Sequence, residues 1–266
     1  MLEATQHGEN CFLTLTYNDD NLPDDKSLNP KHVQDFLKRL RRRIEPKKIR
    51  YFAVGEYGET THRPHYHLVL FGHPTCEKGV TDRTRTGAIR CCDVCNSLQS
   101  DWPMGNIYNG CLETASAAYV SGYVTKKLTD PRDERLEGRH PEFARMSLRP
   151  GIGADFMDEF ASSLLEFNLH DLDDVPFALR HGTRTMPIGR YLQQRLRERV
   201  GKPKNAPEKT LKKIREELRN LQETAYANAP PGSKAFAFQQ AIIDAAQGKI
   251  INMESRFKRE RKKDIL

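Results

Sequence analysis

Two strand-like segments, Ile49–Gly58 and Pro64–Gly72, are joined by the link YGETTHR, whose shortness and polarity are the mark of an antiparallel hairpin. A register that pairs residue 56 with 65 also pairs 54 with 67. Residues two apart on a strand share a face, so His65 and His67 project together with Tyr66 on the opposite side. Glu56 then stands beside His65 on the face of the two histidines. Two imidazoles and a carboxylate would make an open, three-ligand metal site. A slip of one residue would turn Glu56 away, which leaves Glu59, in the link, as a reserve ligand. An H-x-H pair alone is weak ground, since most such pairs are ordinary strand histidines. The flanking VGEYG and the short hairpin favour the metal.

Other elements follow from periodicity. CFLTLTY (Cys11–Tyr17) alternates as a strand should. After a polar loop, Asn29 reads as an N-cap with Pro30 at the first helical position. Val33, Phe36, Leu37, Leu40 and Ile44 then recur at helical spacing over 30–45, and Lys38, Arg39, Arg41, Arg42 and Arg43 occupy the other face. The pattern breaks from His73 to Trp102, read as a Cys-rich insertion. GNIYNGCLE (Gly105–Glu113) is a fourth strand candidate, and Thr114–Leu128 reads as a helix capped by Thr114. Helical patterns recur over Ala154–Leu169, Ile188–Val200, Lys209–Ala227 and Ala235–Arg261. The expected fold is α/β (α+β): an order βαβββα, with a central antiparallel sheet of four to five strands, flanking helices and a helical C-terminal extension. A linker candidate at Gly201–Pro207 divides a domain at 1–200, with its insertion at about 73–102, from an extension at 201–266.

Charge is uneven. Residues 201–266 hold 15 Lys/Arg against 8 Asp/Glu, while the first 200 hold 28 of each, so the whole +7 lies in the extension. A basic tail on a neutral domain fits a polyanion partner, or else a solvated charged helix. No apolar run approaches the ~18–20 residues needed to cross a bilayer, and the N-terminus lacks the basic-then-apolar pattern of a signal peptide. A soluble, cytosolic protein is expected, its six cysteines free thiols or metal ligands rather than disulfides. No G-x-x-x-x-G-K-[ST] motor motif is present.

In AAYVSGYVTKK, Tyr119 and Tyr123 are four residues apart on the expected helix, and Lys126 and Lys127 follow. Two tyrosines at that spacing are more often buried against a sheet. The alternative is nucleophilic. A phenol is a poor nucleophile at neutral pH, but a nearby cation favours the phenolate and a metal on the scissile phosphate withdraws charge. FLTLTY, RPHYHLVLFG and AAYVSGYVTKK, in this order, resemble the three motifs of the HUH endonucleases that initiate rolling-circle replication. GEYGETTHRPHYHLVLFG and RMSLRPGIG (Arg145–Gly153) look most like the replication initiators of microviruses of the gokushovirus-like group.

The resemblance covers roughly Cys11–Tyr191. It implies an HUH core of ferredoxin/RRM-like type and a metal-dependent, site-specific single-strand DNA endonuclease and ligase. Such an enzyme nicks an origin and becomes joined to DNA through a 5′-phosphotyrosine, which starts replication of a small circular phage genome. By it His65, His67 and Glu56 are metal ligands, Tyr119 and Tyr123 the paired nucleophiles, and Lys126 or Lys127 the assisting lysine. Thr14–Tyr17 matches a motif tied to the fold and to DNA positioning. Gly122 stands where some relatives have a lysine. The implied ion is Mg²⁺ or Mn²⁺, although imidazole does not favour Mg²⁺. The implied partners are single-stranded DNA at the viral origin and a host helicase with the replication machinery, in the cytoplasm of an infected bacterium and without a membrane. The rival readings are an HUH transposase or plasmid relaxase, and a non-catalytic nucleic-acid-binding module.

Within the insertion, His73-x-x-Cys76 and Cys92-x-x-Cys95 are spaced for a structural zinc ion, with Cys91 and Cys111 as alternative ligands. Free thiols in a surface insertion are the plainer reading.

Overall fold

The structure is a computed structural model that describes residues 1–245 apart from 59, 85, 86, 127–129, 170, 171, 183 and 231. It divides into two compact units, Met1–Glu159 and Phe160–Leu266.

In the first unit, β1 (Asn10–Tyr17) leads to α1 (Pro30–Ile44), and β2 (Arg50–Tyr57) and β3 (Pro64–Phe71) form the hairpin. α2 (Asp93–Asp101), β4 (Gly105–Cys111), α3 (Thr114–Lys126) and β5 (Phe143–Met146) follow. The strands make one antiparallel sheet in the order β4-β1-β3-β2-β5, so β3 is the middle strand. The α/β architecture read from the sequence is the one observed. Two elements escape that reading: α2 inside the patternless 73–102 stretch, and the short edge strand β5.

The two faces of the sheet bury different sets of residues. Cys11, Leu13, Leu15 and Tyr17 of β1 join Tyr66, Leu68 and Leu70 of β3, and with them pack the apolar stripe of α1, Val33, Phe36, Leu37 and Leu40. Leu98 and Trp102 complete this core, so the segment after β3 is part of the main hydrophobic layer. Val54, Val69 and Phe71 face the other way and pack against Val120 of α3. Burial of these side chains supplies the driving force that holds both helical layers on the sheet.

α1 starts as its sequence directs: the Asn29 side chain accepts the Lys31 N–H at 3.0 Å, and Pro30 opens the first turn. Its five basic residues are exposed. Tyr66, fully buried, ties this start to the sheet. Its hydroxyl accepts the Asn29 N–H at 2.8 Å and lies 2.7 Å from the Tyr17 hydroxyl. In α3, Thr114 is the first helical residue rather than the cap; the Ser116 hydroxyl accepts the Glu113 N–H at 2.8 Å. Leu128, the expected end of this helix, lies outside the described residues.

Beyond the sheet, α4 (Ala154–Glu166) and α5 (Arg190–Arg199) flank a two-stranded hairpin, β6 (Ala178–His181) and β7 (Arg184–Pro187), which the sequence pattern does not announce. In the second unit Arg197 of α5 grips Asp174 through a two-pronged pair, Nε–Oδ1 at 2.7 Å and Nη2–Oδ2 at 2.8 Å. α6 (Glu208–Ala227) and a further helix over 234–245 follow; the continuation expected to Arg261 lies outside the described residues. Among the described residues, no helix is long and apolar enough to cross a membrane.

Candidate metal centre

The hairpin adopts the register that brings the candidate ligands together, with Glu56 opposite His65 and Val54 opposite His67. One carboxylate oxygen, Glu56 Oε1, lies 2.6 Å from His65 Nε2 and 2.9 Å from His67 Nε2. Glu56 and His67 are buried and His65 is partly exposed, so the three donors form a pocket open on one side.

The outer contacts of the imidazoles decide what their inner nitrogens can do. His65 Nδ1 is 3.2 Å from the Arg63 carbonyl, an acceptor only, so this nitrogen carries a proton and donates. A second proton, on Nε2, makes His65 an imidazolium paired with Glu56. A cation in that proton's place meets a lone pair instead. His67 Nδ1 lies 2.9 Å from Thr14 Oγ1. That hydroxyl can donate or accept, so it suits both forms of His67. Two neutral imidazoles with fixed outer partners and a shared carboxylate fit a divalent cation.

Electrostatics agree. Burial by itself would push the Glu56 carboxyl up, but hydrogen bonds and charge from His65 and His67 outweigh it and hold the pKa at about 2. Glu56 is therefore a carboxylate at any pH near neutrality, ready to ligate.

α3 lies over this end of the sheet, packed on β2 and β3. It sets the Tyr119 ring edge-on to His67, centroids 5.3 Å apart and planes at 80°. Phe12 stacks on the same imidazole at 5.5 Å. Tyr119 is 39% exposed, enough for its ring to meet a large ligand. Tyr123 and Lys126 belong to α3, but their side chains lie outside what is described, as do Lys127 and the reserve ligand Glu59.

Sequence reasoning missed two of the groups around the histidines. Thr14 lies directly across from His67 on β1, and the alternation of FLTLTY could have placed it on that face. The Arg63 carbonyl carries no side-chain signal.

The zinc ligand set expected in the 73–102 segment is partly redrawn. Cys76, Cys92 and Cys95 come together, and the fourth member of their group is Cys91. His73 turns away: its Nδ1 donates to the Pro74 carbonyl at 2.9 Å and lies 3.7 Å from Cys11 Sγ. Burial lowers its basicity, opposed by that carbonyl contact. A strand end so close to His73 leaves it in the core rather than in the turn that presents Cys76. Cys111 is exposed and outside the group.

Fold and site together define a five-stranded sheet protein with a three-donor cation pocket beside a partly exposed tyrosine. Its kinship is with phage replication proteins: residues 10–128 match the family model of the replication-associated protein ORF2. The chain is 27% identical over 249 residues to Replication-associated protein ORF4 of Chlamydia phage 1, covering 91% of this chain and 58% of that protein. It is 29% identical over 194 residues to Replication-associated protein ORF2 of Spiroplasma virus 4, covering 70% of this chain and 58% of that one. With Replication-associated protein VP4 of Bdellovibrio phage phiMH2K it shares 30% identity over 167 residues, covering 59% of this chain and 51% of the relative. The chain thus spans between half and three fifths of the length of these relatives. No solved structure matches it.

Proposed function

We propose that this protein nicks and rejoins single-stranded DNA at an origin, and so initiates rolling-circle replication of a small circular phage genome. The observation that carries the reading is the contact of Tyr119 with His67: a phenol on a helix meets an imidazole whose inner nitrogen shares Glu56 with His65. The names of the three relatives agree with it.

Glu56, His65 and His67 would hold Mn²⁺ or Mg²⁺, and the ion would supply Lewis-acid polarisation of a DNA phosphate. Mn²⁺ suits the two imidazoles better than Mg²⁺. Thr14 and the Arg63 carbonyl keep the two histidines in the ligating tautomer. Tyr119 acts as nucleophile: its oxygen loses a proton and bonds to phosphorus, while the bond from phosphorus to the 3′-oxygen breaks and that oxygen takes up a proton. A 5′-phosphotyrosine and a free 3′-hydroxyl result. The phosphodiester bond energy is kept, so the reverse step can close a circle. Tyr123 serves as the second nucleophile, with Lys126 or Lys127 favouring phenolate. Strand separation is left to a host helicase, and the reaction takes place in the bacterial cytoplasm.

The test is incubation with end-labelled single-stranded phage DNA and Mn²⁺, then denaturing electrophoresis and peptide mapping. A protein–DNA adduct at Tyr119 or Tyr123 is expected, and it should vanish in the Tyr119→Phe, Tyr123→Phe double variant. An adduct that persists there, or DNA binding unaffected by EDTA with no covalent product, overturns the proposal in favour of a plain nucleic-acid-binding module.

A further inference from the structure

Six cysteines are free thiols, and four of them gather in one place. Cys76 sits in the turn after β3, closed by the Gly79 N–H on its carbonyl at 2.8 Å. Cys91 and Cys92 immediately precede α2, with Cys92 at its N-cap, and Cys95 lies in its first turn. All four sulfurs fall within 4.8 Å of one another. Cys92 Sγ and Cys76 Sγ are 3.8 Å apart. That is far from the ~2.05 Å of a disulfide, but it is about the edge of a tetrahedron of sulfurs drawn around zinc at ~2.3 Å.

We infer that Cys76, Cys91, Cys92 and Cys95 form a tetrathiolate site for a structural Zn²⁺, separate from the Glu56–His65–His67 centre. The ligand class follows from the donors: four soft sulfurs select zinc over the hard ions Mg²⁺ and Mn²⁺. The surroundings suit thiolates. Cys92 and Cys95 lie at a helix N-terminus, where unpaired N–H groups favour negative charge. The guanidinium of Arg83 is close enough to feel Cys91 and Cys95, and it offsets part of the charge that four thiolates bring. Binding replaces the Cys76 S–H bond to the Val80 carbonyl, now 3.0 Å, with a sulfur–zinc bond.

The ion has a mechanical role. It fastens the turn after β3 to the start of α2, and α2 carries Leu98 and Trp102 into the core. Trp102 Nε1 donates to the Thr16 carbonyl at 2.9 Å, so the fastening is one helix away from the strand that carries Thr14.

The whole chain bearing His65→Ala and His67→Ala, purified without chelator, removes the other metal centre from the measurement. It is expected to hold one zinc per chain by elemental analysis. Replacement of that zinc by Co²⁺ should give sulfur-to-cobalt charge-transfer absorption. Adding Cys91→Ser should lower zinc content at least tenfold, whereas His73→Ala should leave it unchanged. Independently of any variant, zinc should shield Cys91 and Cys92 from alkylation while exposed Cys111 reacts at the same rate with and without metal. Absence of zinc from the His65/His67 variant, a cobalt spectrum without thiolate bands, or retention of zinc by the Cys91 variant with loss in the His73 variant each overturns the inference. None of these outcomes touches the nicking reaction, whose failure would be read on DNA.

Discussion

Both imidazoles of the H-x-H pair lean on a single oxygen, Glu56 Oε1. This makes the pocket sensitive to acid in a defined direction. The Glu56 carboxyl is depressed from 4.5 to about 2, so its carboxylate form stabilises the fold above pH 4.5, and that contribution is lost as pH falls from 4.5 towards 2. In chelator-treated protein, Glu56→Gln should flatten the stability profile across that window, as read by urea unfolding at stepped pH. A profile identical to that of the parent would show that the carboxylate contributes nothing there. Thr14 is the other sensitive residue, because it is the outer partner of His67. Thr14→Val should weaken Mn²⁺ binding by about 10–100-fold with the fold retained; calorimetric titration checks it, and undiminished affinity would remove Thr14 from the site. The two histidines and Glu56 were legible in the sequence because strand alternation and hairpin register are strict rules of parity. Thr14 was not, because its role depends on which strand lies beside β3, a fact of topology. Cys91 was legible only as an alternative, because a ligand next to Cys92 becomes usable only once a turn folds Cys76 against them.

Among the elements, the hairpin and α1 were readable for local reasons: a short polar link, and an Asn-Pro start with apolar residues at helical spacing. α2 was not, because its sequence is polar and cysteine-rich, and only Leu98 and the flanking Trp102 mark its buried side. β5, β6 and β7 have four residues each, too few for alternation to speak. Edge pairing also depends on a close approach that the sequence does not advertise. Gly105 opens β4, and a Cβ there would lie 2.0 Å from the Thr16 carbonyl oxygen and 2.5 Å from the Asn18 nitrogen. Both are backbone atoms, which must shift rather than rotate away. Gly105→Ala should therefore destabilise the protein by about 1–3 kcal/mol, seen as a lower denaturant midpoint. A stability equal to the parent's would mean that the β1–β4 pairing yields freely at this end.

Across the whole molecule, neutral and basic regions are separate in sequence. α6 exposes Lys212, Lys213 and Arg219, in the segment that carries the entire +7. If single-stranded DNA is the partner, each phosphate that the protein ceases to neutralise should reduce the slope of log affinity against log salt by about 0.7. Replacing these three residues by Glu should weaken binding most at low ionic strength and leave cleavage-site choice unaltered. Fluorescence anisotropy across a salt series measures this; an unchanged slope would assign α6 to a role other than DNA binding. The alternation along β3 acts on the same whole-molecule scale. His-Tyr-His puts Tyr66, the anchor of α1, between two ligands that face the opposite layer. Removal of one residue from this strand would not merely shorten it. It would transpose the wet and dry sides, feeding imidazoles to the oily layer and a phenol to the pocket. Evolution can therefore lengthen or trim this strand only in even steps, so the tripeptide is inherited as an indivisible unit.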